Sequence, residues 1–140
     1  MYLVYGTATF LMRGALRLLG DWKVEGRECV PPMGPLLVVS NHQSNMDPPL
    51  LGVSIPRRTW FLAKDSMFKG RARRLKHWFL TSYGGFPLNR EGPDIRAYRW
   101  ALNKLEQDCT LVVFPEGTRS RGALGKGMPG VVRLALRSQA

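Results

Sequence analysis

The chain has few cysteines, few acidic residues and no long apolar run, and each of these features excludes some classes of protein. Among 140 residues there are only two cysteines, Cys29 and Cys109, far apart and outside any paired motif. This usage predicts reduced thiols in a cytosolic setting, with both cysteines packed as small buried hydrophobic residues. No cluster of cysteine, histidine and carboxylate residues has the spacing of metal ligands, so we expect no metal. Residues 2–12 carry no charge, but Arg13 follows them, and a transmembrane helix needs about 20 apolar residues.

Acidic residues are outnumbered by basic ones. The sequence has 10 Asp plus Glu against 21 Lys plus Arg, a formal net charge of +11. Such an excess predicts an anionic partner, and a phosphorylated substrate, an anionic membrane surface and nucleic acid all fit it. No nucleic-acid-binding motif occurs, so we expect no nucleic acid partner. The hydrophobic content of 44% is typical of a globular domain rather than a disordered chain.

The N-terminal segment, residues 1–20, is predicted to be an amphipathic helix ending near Gly20. Two interpretations of its apolar residues remain open: the helix lies in a membrane interface, or it packs on the protein's own core. The apolar residues concerned are Leu3, Tyr5, Phe10, Leu11, Leu16, Leu18 and Leu19.

The rest of the chain alternates between strand-like and helix-like patterns. Strands are predicted at residues 22–26, 36–39, 59–63, 83–87 and 110–114. Helices are predicted from Asp47 onward, as one or two helices over 66–80, over 93–107 with Ile95 on the apolar face, and over 129–136. Such alternation predicts an α/β fold with a mixed, largely parallel sheet flanked by helices.

Polar residues follow several of these strands. His42, Lys64, Arg90 and Glu116 each come just after a strand candidate. Ligands bind at the carboxyl ends of the strands in such sheets, so we expect these side chains to share one site.

His42 and Asp47 form the candidate acid–base pair. A histidine oriented by a carboxylate can take a proton from a substrate hydroxyl. Residues at this spacing do not share a helix face, so the segment between them must form a turn. Asp47 precedes Pro48, and we expect its carboxylate also to cap the following helix. The alternative is a turn histidine that bonds only to the local backbone.

Three blocks of sequence resemble the glycerolipid acyltransferase family, most closely its 1-acyl-glycerol-3-phosphate acyltransferases. Asn41 and His42, four further residues and Asp47 match the first family motif. Residues 86–90 (Phe-Pro-Leu-Asn-Arg) are similar to the second, and 114–120 (Phe-Pro-Glu-Gly-Thr-Arg-Ser) match the third without a mismatch. The resemblance extends from about Val24 to the C-terminus, and the third block carries most of its specificity.

The resemblance implies transfer of a fatty acyl group to the free hydroxyl of 1-acyl-glycerol-3-phosphate, forming phosphatidic acid. The donor would be acyl-CoA or acyl carrier protein, a co-substrate, with no cofactor. His42 would be the base and Asp47 its orienting partner; no serine or cysteine lies in a nucleophile-elbow pattern, which favours direct attack by the acceptor. The implied substrate-binding residues are Asn41, Lys64, Arg90, Glu116, Gly117, Thr118 and Arg119.

Other interpretations of these residues stay open. Arg90 and Lys64 could be solvated surface cations, and Glu116 could pair with Arg119 or Arg90 to hold a loop. The cationic run over residues 69–76 fits a solvated helix face, anionic lipid headgroups or an acidic acyl donor. The same chemistry on glycerol-3-phosphate or another lysophospholipid is an alternative function. A non-catalytic basic fragment that binds membranes is another.

Family members usually carry a fourth block, a Val-Pro-rich strand after the helix that follows the third motif. This chain ends at Ala140, so we expect the C-terminal part of the family fold to be missing. The resemblance implies a membrane-interface helix over residues 1–20 and a C-terminally short acyltransferase domain over 21–140. It also implies a membrane surface with anionic lipids as a partner, at the cytoplasmic face of the cell membrane.

Overall fold

A computed structural model of the protein describes residues 2–120 and 122–140. The described residues alternate helices with strands, and two short 3-10 turns occur at Arg27–Cys29 and Asp65–Phe68. In chain order the elements are α1 (Tyr2–Leu19), β1 (Leu36–Val39), α2 (Asp47–Ser54), β2 (Thr59–Lys64), α3 (Arg73–Tyr83), β3 (Gly85–Leu88), α4 (Ile95–Glu106), β4 (Thr110–Val113) and α5 (Gly130–Ser138).

The four strands form one sheet in the order β1-β4-β2-β3, and every neighbouring pair is parallel. The predicted α/β class is therefore confirmed, and the sheet is more uniform than the expected mixed one. β4 (Thr-Leu-Val-Val) is buried at all its positions, as expected for a central parallel strand covered on both faces. All four carboxyl ends lie at the same edge of the sheet.

Helices cover both faces of the sheet. On one face, α4 and α5 pack Ala101, Leu105 and Leu134 against Leu111 and Val113 of β4. On the other face, the core consists of Ile55, Phe61 and Val112, with Leu51 and Tyr83 packed against it. That second face is covered by α2 and α3, and α1 packs against both of them.

Helix α1 has one buried face and one exposed face. The Tyr5 hydroxyl donates to the Gly52 carbonyl at 3.1 Å, and the Thr59 amide donates to that hydroxyl at 3.2 Å. Arg13 Nε donates to the Val53 carbonyl at 3.0 Å. The opposite face exposes Leu3, Phe10, Leu11, Leu18 and Leu19. The interpretation as a packed helix is confirmed for the buried face, and the membrane-interface interpretation stays a prediction for the exposed face.

No helix in the described part of the chain combines the length and the apolar character that crossing a membrane requires.

Several sequence-based expectations about local structure were wrong. Residues 22–26 form no strand: they are exposed and are not part of the four-stranded sheet. Cys29 is exposed rather than buried. Ile95 remains 63% exposed, because the buried face of α4 is formed by Ala97, Ala101 and Leu105.

Gly84 allows β3 to start directly beside β2. It ends α3 with φ of 109°, in the left-handed region that favours glycine. A Cβ atom here would lie 2.5 Å from the Thr59 carbonyl oxygen. The turn from helix to strand therefore depends on the missing side chain.

Candidate active site

The residues that follow the strands lie along the carboxyl edge of the sheet. The strand order places His42, after β1, next to Glu116, after β4. Lys64 ends β2, and Arg90 follows β3 at the far side. The edge thus carries a histidine and a carboxylate at one end and cations at the other.

Asp47 orients the imidazole of His42. Its Oδ2 lies 2.9 Å from His42 Nδ1 and also accepts the backbone N–H groups of Gln43 at 2.7 Å and Ser44 at 2.8 Å. Because a carboxylate only accepts, Nδ1 carries the hydrogen and Nε2 is left to take a proton. Burial acts to raise the pKa of Asp47, but the bonds from Ser44, His42 and Gln43 outweigh it and lower that pKa below 3.8.

The expected capping role of Asp47 is wrong. Asp47 is the first residue of α2, and Met46 precedes the helix without a side-chain cap. The Asp47 carboxylate instead points back into the turn 43–47, which is closed further by the bond from the Asp47 amide to the Ser44 carbonyl at 3.2 Å. All of the described hydrogen bonds that its carboxylate accepts thus come from the histidine and from the backbone of this turn.

The third motif holds His42 from the neighbouring strand. The Phe114 ring stacks on the His42 ring with centroids 4.3 Å apart and planes at 27°. The Ser120 amide donates to the His42 carbonyl at 2.8 Å, and the His42 amide donates to Glu116 Oε1 at 3.4 Å. His42 is 8% exposed, so its ring has one orientation and a narrow opening to solvent.

Glu116 connects two loops through backbone donors. Its Oε2 accepts the Gly125 amide at 2.8 Å, while Oε1 accepts the His42 amide. The Gly125 bond, followed by bonds from Ser120 and His42, lowers the pKa of Glu116. The described residues show no ion pair between Glu116 and either Arg119 or Arg90. The alternative in which such a pair holds this loop is therefore wrong.

Arg90 and Arg119 form a cationic end of the site. Partial desolvation of Arg90 and, second, the positive charge of Arg119 lower the pKa of Arg90. Neither arginine forms an ion pair within residues 2–120 and 122–140. Two guanidinium groups that repel each other in this way favour a bound anion between them, and a phosphate suits their forked donors.

The other predicted residues differ in how the structure places them. Gly117 adopts φ of 66°, a left-handed conformation that strains residues with a side chain, and a Cβ atom there would lie 2.6 Å from the flexible end of Met128. Asn41, Lys64 and Thr118 are exposed, and their side chains make no hydrogen bond in the part of the chain that the structure describes. Lys64 nonetheless ends the strand that lies between those of Glu116 and Arg90.

A cleft of about 190 Å³ opens beside the histidine–aspartate pair. Asn41, Gln43 and Asp47 line it from the first motif, Leu50 and Leu51 from α2, and Trp22 from the segment that was wrongly predicted as a strand. Trp22 therefore contributes to the wall of this cleft.

Three residues that contact His42 or Glu116 were absent from the predicted site: Phe114, Ser120 and Gly125. Phe114 and Ser120 belong to the third motif, and their place after the strand next to β1 was the available signal. Gly125 contributes only a hydrogen bond from its backbone amide, which a pattern of side chains in the sequence does not reveal.

Comparison with known proteins agrees with this geometry. The family model named Acyltransferase matches residues 21–140, which is most of the chain. The protein therefore belongs to the acyltransferase family.

Individual relatives show which members of the family the chain is similar to. The human 1-acyl-sn-glycerol-3-phosphate acyltransferase alpha is 35% identical over 121 residues, which are 84% of this chain and 42% of that protein. The lyso-ornithine lipid O-acyltransferase of Pseudomonas aeruginosa is 36% identical over 92 residues, 65% of this chain and 34% of that protein. The crystal structure of the 1-acyl-sn-glycerophosphate (LPA) acyltransferase PlsC from Thermotoga maritima aligns with a TM-score of 0.76 and 33% identity. That match covers 98% of this chain and 54% of the Thermotoga chain.

The chain spans about a third to a half of the length of the curated relatives it matches.

Proposed function

We propose that the protein transfers a fatty acyl group from a thioester donor to the free hydroxyl of 1-acyl-glycerol-3-phosphate. One arrangement carries the proposal: the oriented His42–Asp47 pair and the Arg90–Arg119 pair lie along the same edge of one sheet. The first supplies a base for a hydroxyl, and the second supplies charge for a phosphate. The names of the human and Thermotoga relatives support the same acceptor.

The reaction follows from the free Nε2 of His42. This nitrogen takes the proton of the acceptor hydroxyl as its oxygen attacks the thioester carbonyl. The new C–O bond forms, the C–S bond breaks, and the imidazolium returns the proton to the leaving thiolate. Asp47, ionised at neutral pH because its pKa is lowered, stabilises the imidazolium.

Direct transfer is supported over a covalent acyl-enzyme. In the described residues the His42 ring forms a hydrogen bond with Asp47 and with no serine or cysteine. A nucleophile would need to lie within hydrogen-bond reach of that ring.

Arg90 and Arg119 hold the acceptor phosphate in this proposal, with Lys64 completing the cationic edge. Asn41 and Thr118 lie at the mouth of the site, where they contact the glycerol backbone. Gly117 and Glu116 act by shaping the loop that presents Arg119. The donor is acyl-CoA or acyl carrier protein.

The acceptor distinguishes two candidate activities. The name of the Pseudomonas relative makes a lyso-ornithine lipid the second acceptor to test. The paired arginines favour an acceptor with a phosphate, and an ornithine lipid offers none at that position.

The first test measures product from labelled acyl-CoA or acyl carrier protein with each acceptor, using wild type and His42→Ala. We expect phosphatidic acid from the wild type and at least a 100-fold loss in the variant. Circular dichroism checks that both fold. Product that persists in folded His42→Ala would remove the histidine from the mechanism.

Arg90→Gln tests the phosphate site separately. We expect kcat/KM for 1-acyl-glycerol-3-phosphate to fall about 10- to 100-fold, since a hydrogen bond to a charged group is lost. Arg99→Gln, which removes an exposed arginine of α4, is the matched control. Equal losses in the two variants would show that overall charge, not a phosphate contact, sets the rate.

We also propose that the protein attaches to the membrane surface through α1. The exposed apolar face of that helix supports peripheral attachment. The cytoplasmic face remains a prediction from the family resemblance.

A further inference from the structure

A second cavity, of about 430 Å³, lies between the turn Asp65–Phe68 and α3. Its lining includes Arg73, Arg74, His77 and Trp78, and none of its lining residues belongs to the candidate active site. Phe68 closes one side, with its ring edge-on to His77 at 5.5 Å. The cavity is therefore cationic at its entrance and aromatic along its wall.

The beginning of α3 is arranged for an anion. Arg73 and Arg74 lie in its first turn, which contains no acidic residue, and Ala72 precedes the helix without a side-chain cap. Helix N-termini carry partial positive charge and open amide groups, so cations there are unfavourable until an anion binds. Asp65, the carboxylate nearest in sequence, is bonded to Lys69.

A buried hydroxyl in the cavity wall lacks a partner. Thr81 lines the cavity, and its Oγ1 is buried without a hydrogen bond in the residues that the structure describes. A buried donor without an acceptor costs free energy, and an oxygen-rich ligand, directly or through water, would supply that acceptor.

The surroundings of the cavity identify the source of the anion. Leu75, Trp78 and Phe79 are 65%, 55% and 45% exposed on the same helix. The adjacent α1 exposes Leu3 and Phe10 at 81% and 75%. Cations beside exposed leucine, tryptophan and phenylalanine are typical of a surface that lies in a bilayer interface. A soluble acidic protein would leave much of this apolar area uncovered.

We propose that this cavity binds the phosphate headgroup of an anionic membrane phospholipid, distinct from the acceptor lipid in the active site. Arg73 and Arg74 hold the phosphate with the help of the α3 amides, and Trp78 lies at the level of the glycerol and upper acyl chains. The site deepens the proposed membrane attachment and does not depend on acyl transfer.

The test is co-sedimentation of the chain with phosphatidylcholine vesicles containing or lacking phosphatidylglycerol, at 0.15 M salt. The key comparison is between Arg73→Gln/Arg74→Gln and Arg71→Gln/Lys76→Gln. Both remove two charges from the same run, but Arg71 and Lys76 do not line the cavity. We expect about a 30-fold weaker affinity for phosphatidylglycerol vesicles in the first pair and about threefold in the second.

The possible results separate the two proposals. Equal losses in both pairs would overturn the site and leave diffuse charge as the cause, while attachment itself would stand. A wild type that binds no vesicle would overturn both attachment and site. Competition by inorganic phosphate at millimolar concentration would identify a free anion as the ligand. A loss of binding to acidic acyl carrier protein, with vesicle binding unchanged, would assign the surface to the donor instead.

Discussion

In the proposed mechanism, Asp47 is the residue on which proton transfer depends most directly, after His42 itself. One of its oxygens, Oδ2, accepts hydrogen bonds from the imidazole and from two backbone amides. Asp47→Asn preserves the shape but removes the charge that stabilises the imidazolium. We expect kcat to fall about 100- to 10,000-fold with little change in KM. Steady-state kinetics measure it, with Asp108→Asn, at an exposed turn, as the control.

The same carboxylate gives a pH dependence of stability. Because the folded-state pKa of Asp47 lies below 3.8, its contribution is complete above pH 3.8 and disappears as pH falls through the folded value. The free energy of unfolding in urea should thus drop more steeply as the pH falls below about 4 in the wild type than in Asp47→Asn. Parallel curves for the two proteins would contradict this.

The pairing of His42 with Asp47 was predictable, whereas the contacts around this pair were not. His42 and Asp47 were paired from their spacing and from the need for a turn. The bonds that close this turn come from the backbone amides of Gln43 and Ser44 to Asp47. The identities of the side chains in the sequence do not reveal them. Proline after Asp47 suggested a helix cap, but the imidazole and these amides all bond to Oδ2 of Asp47 and hold its carboxylate in the turn.

At the scale of elements, Tyr5 fixes α1 to the sheet. Its hydroxyl bonds with the Gly52 carbonyl, and both the amide and the hydroxyl of Thr59. Tyr5→Phe leaves those buried groups unpaired, so we expect a loss of about 1–3 kcal/mol in the free energy of unfolding. Tyr2→Phe removes the hydroxyl of a side chain that is 78% exposed and should change stability by less than about 0.5 kcal/mol. Urea titrations of both variants decide between these values.

Elements with strong apolar runs or periodicity were predicted to within a few residues. β1 was predicted at its observed bounds. β4 ends one residue before its predicted end, ahead of Phe114, whose ring stacks on that of His42. The segment 22–26 alternates like a strand but pairs with none of the four strands of the sheet. Strand formation depends on a partner that local sequence does not reveal.

At the scale of the whole molecule, α1 should determine whether the protein partitions to membranes. Leu3 and Phe10 are two turns apart on its exposed face. Leu3→Gln/Phe10→Gln should weaken binding to vesicles at least tenfold, since the apolar area that enters the interface is lost. Val132→Gln/Leu136→Gln, which alters exposed residues of α5 on the opposite face of the sheet, is the control. Flotation assays measure both.

The strand order has a consequence for biosynthesis. β2 and β3 are neighbours joined through α3, so this pair can form as soon as it leaves the ribosome. β1 has β4 as its described partner, and β4 is synthesised some seventy residues later. Closing so long a loop is slow. The nascent chain therefore carries its histidine on a segment without a strand partner until β4 arrives, and the edge that bears the candidate site forms only then.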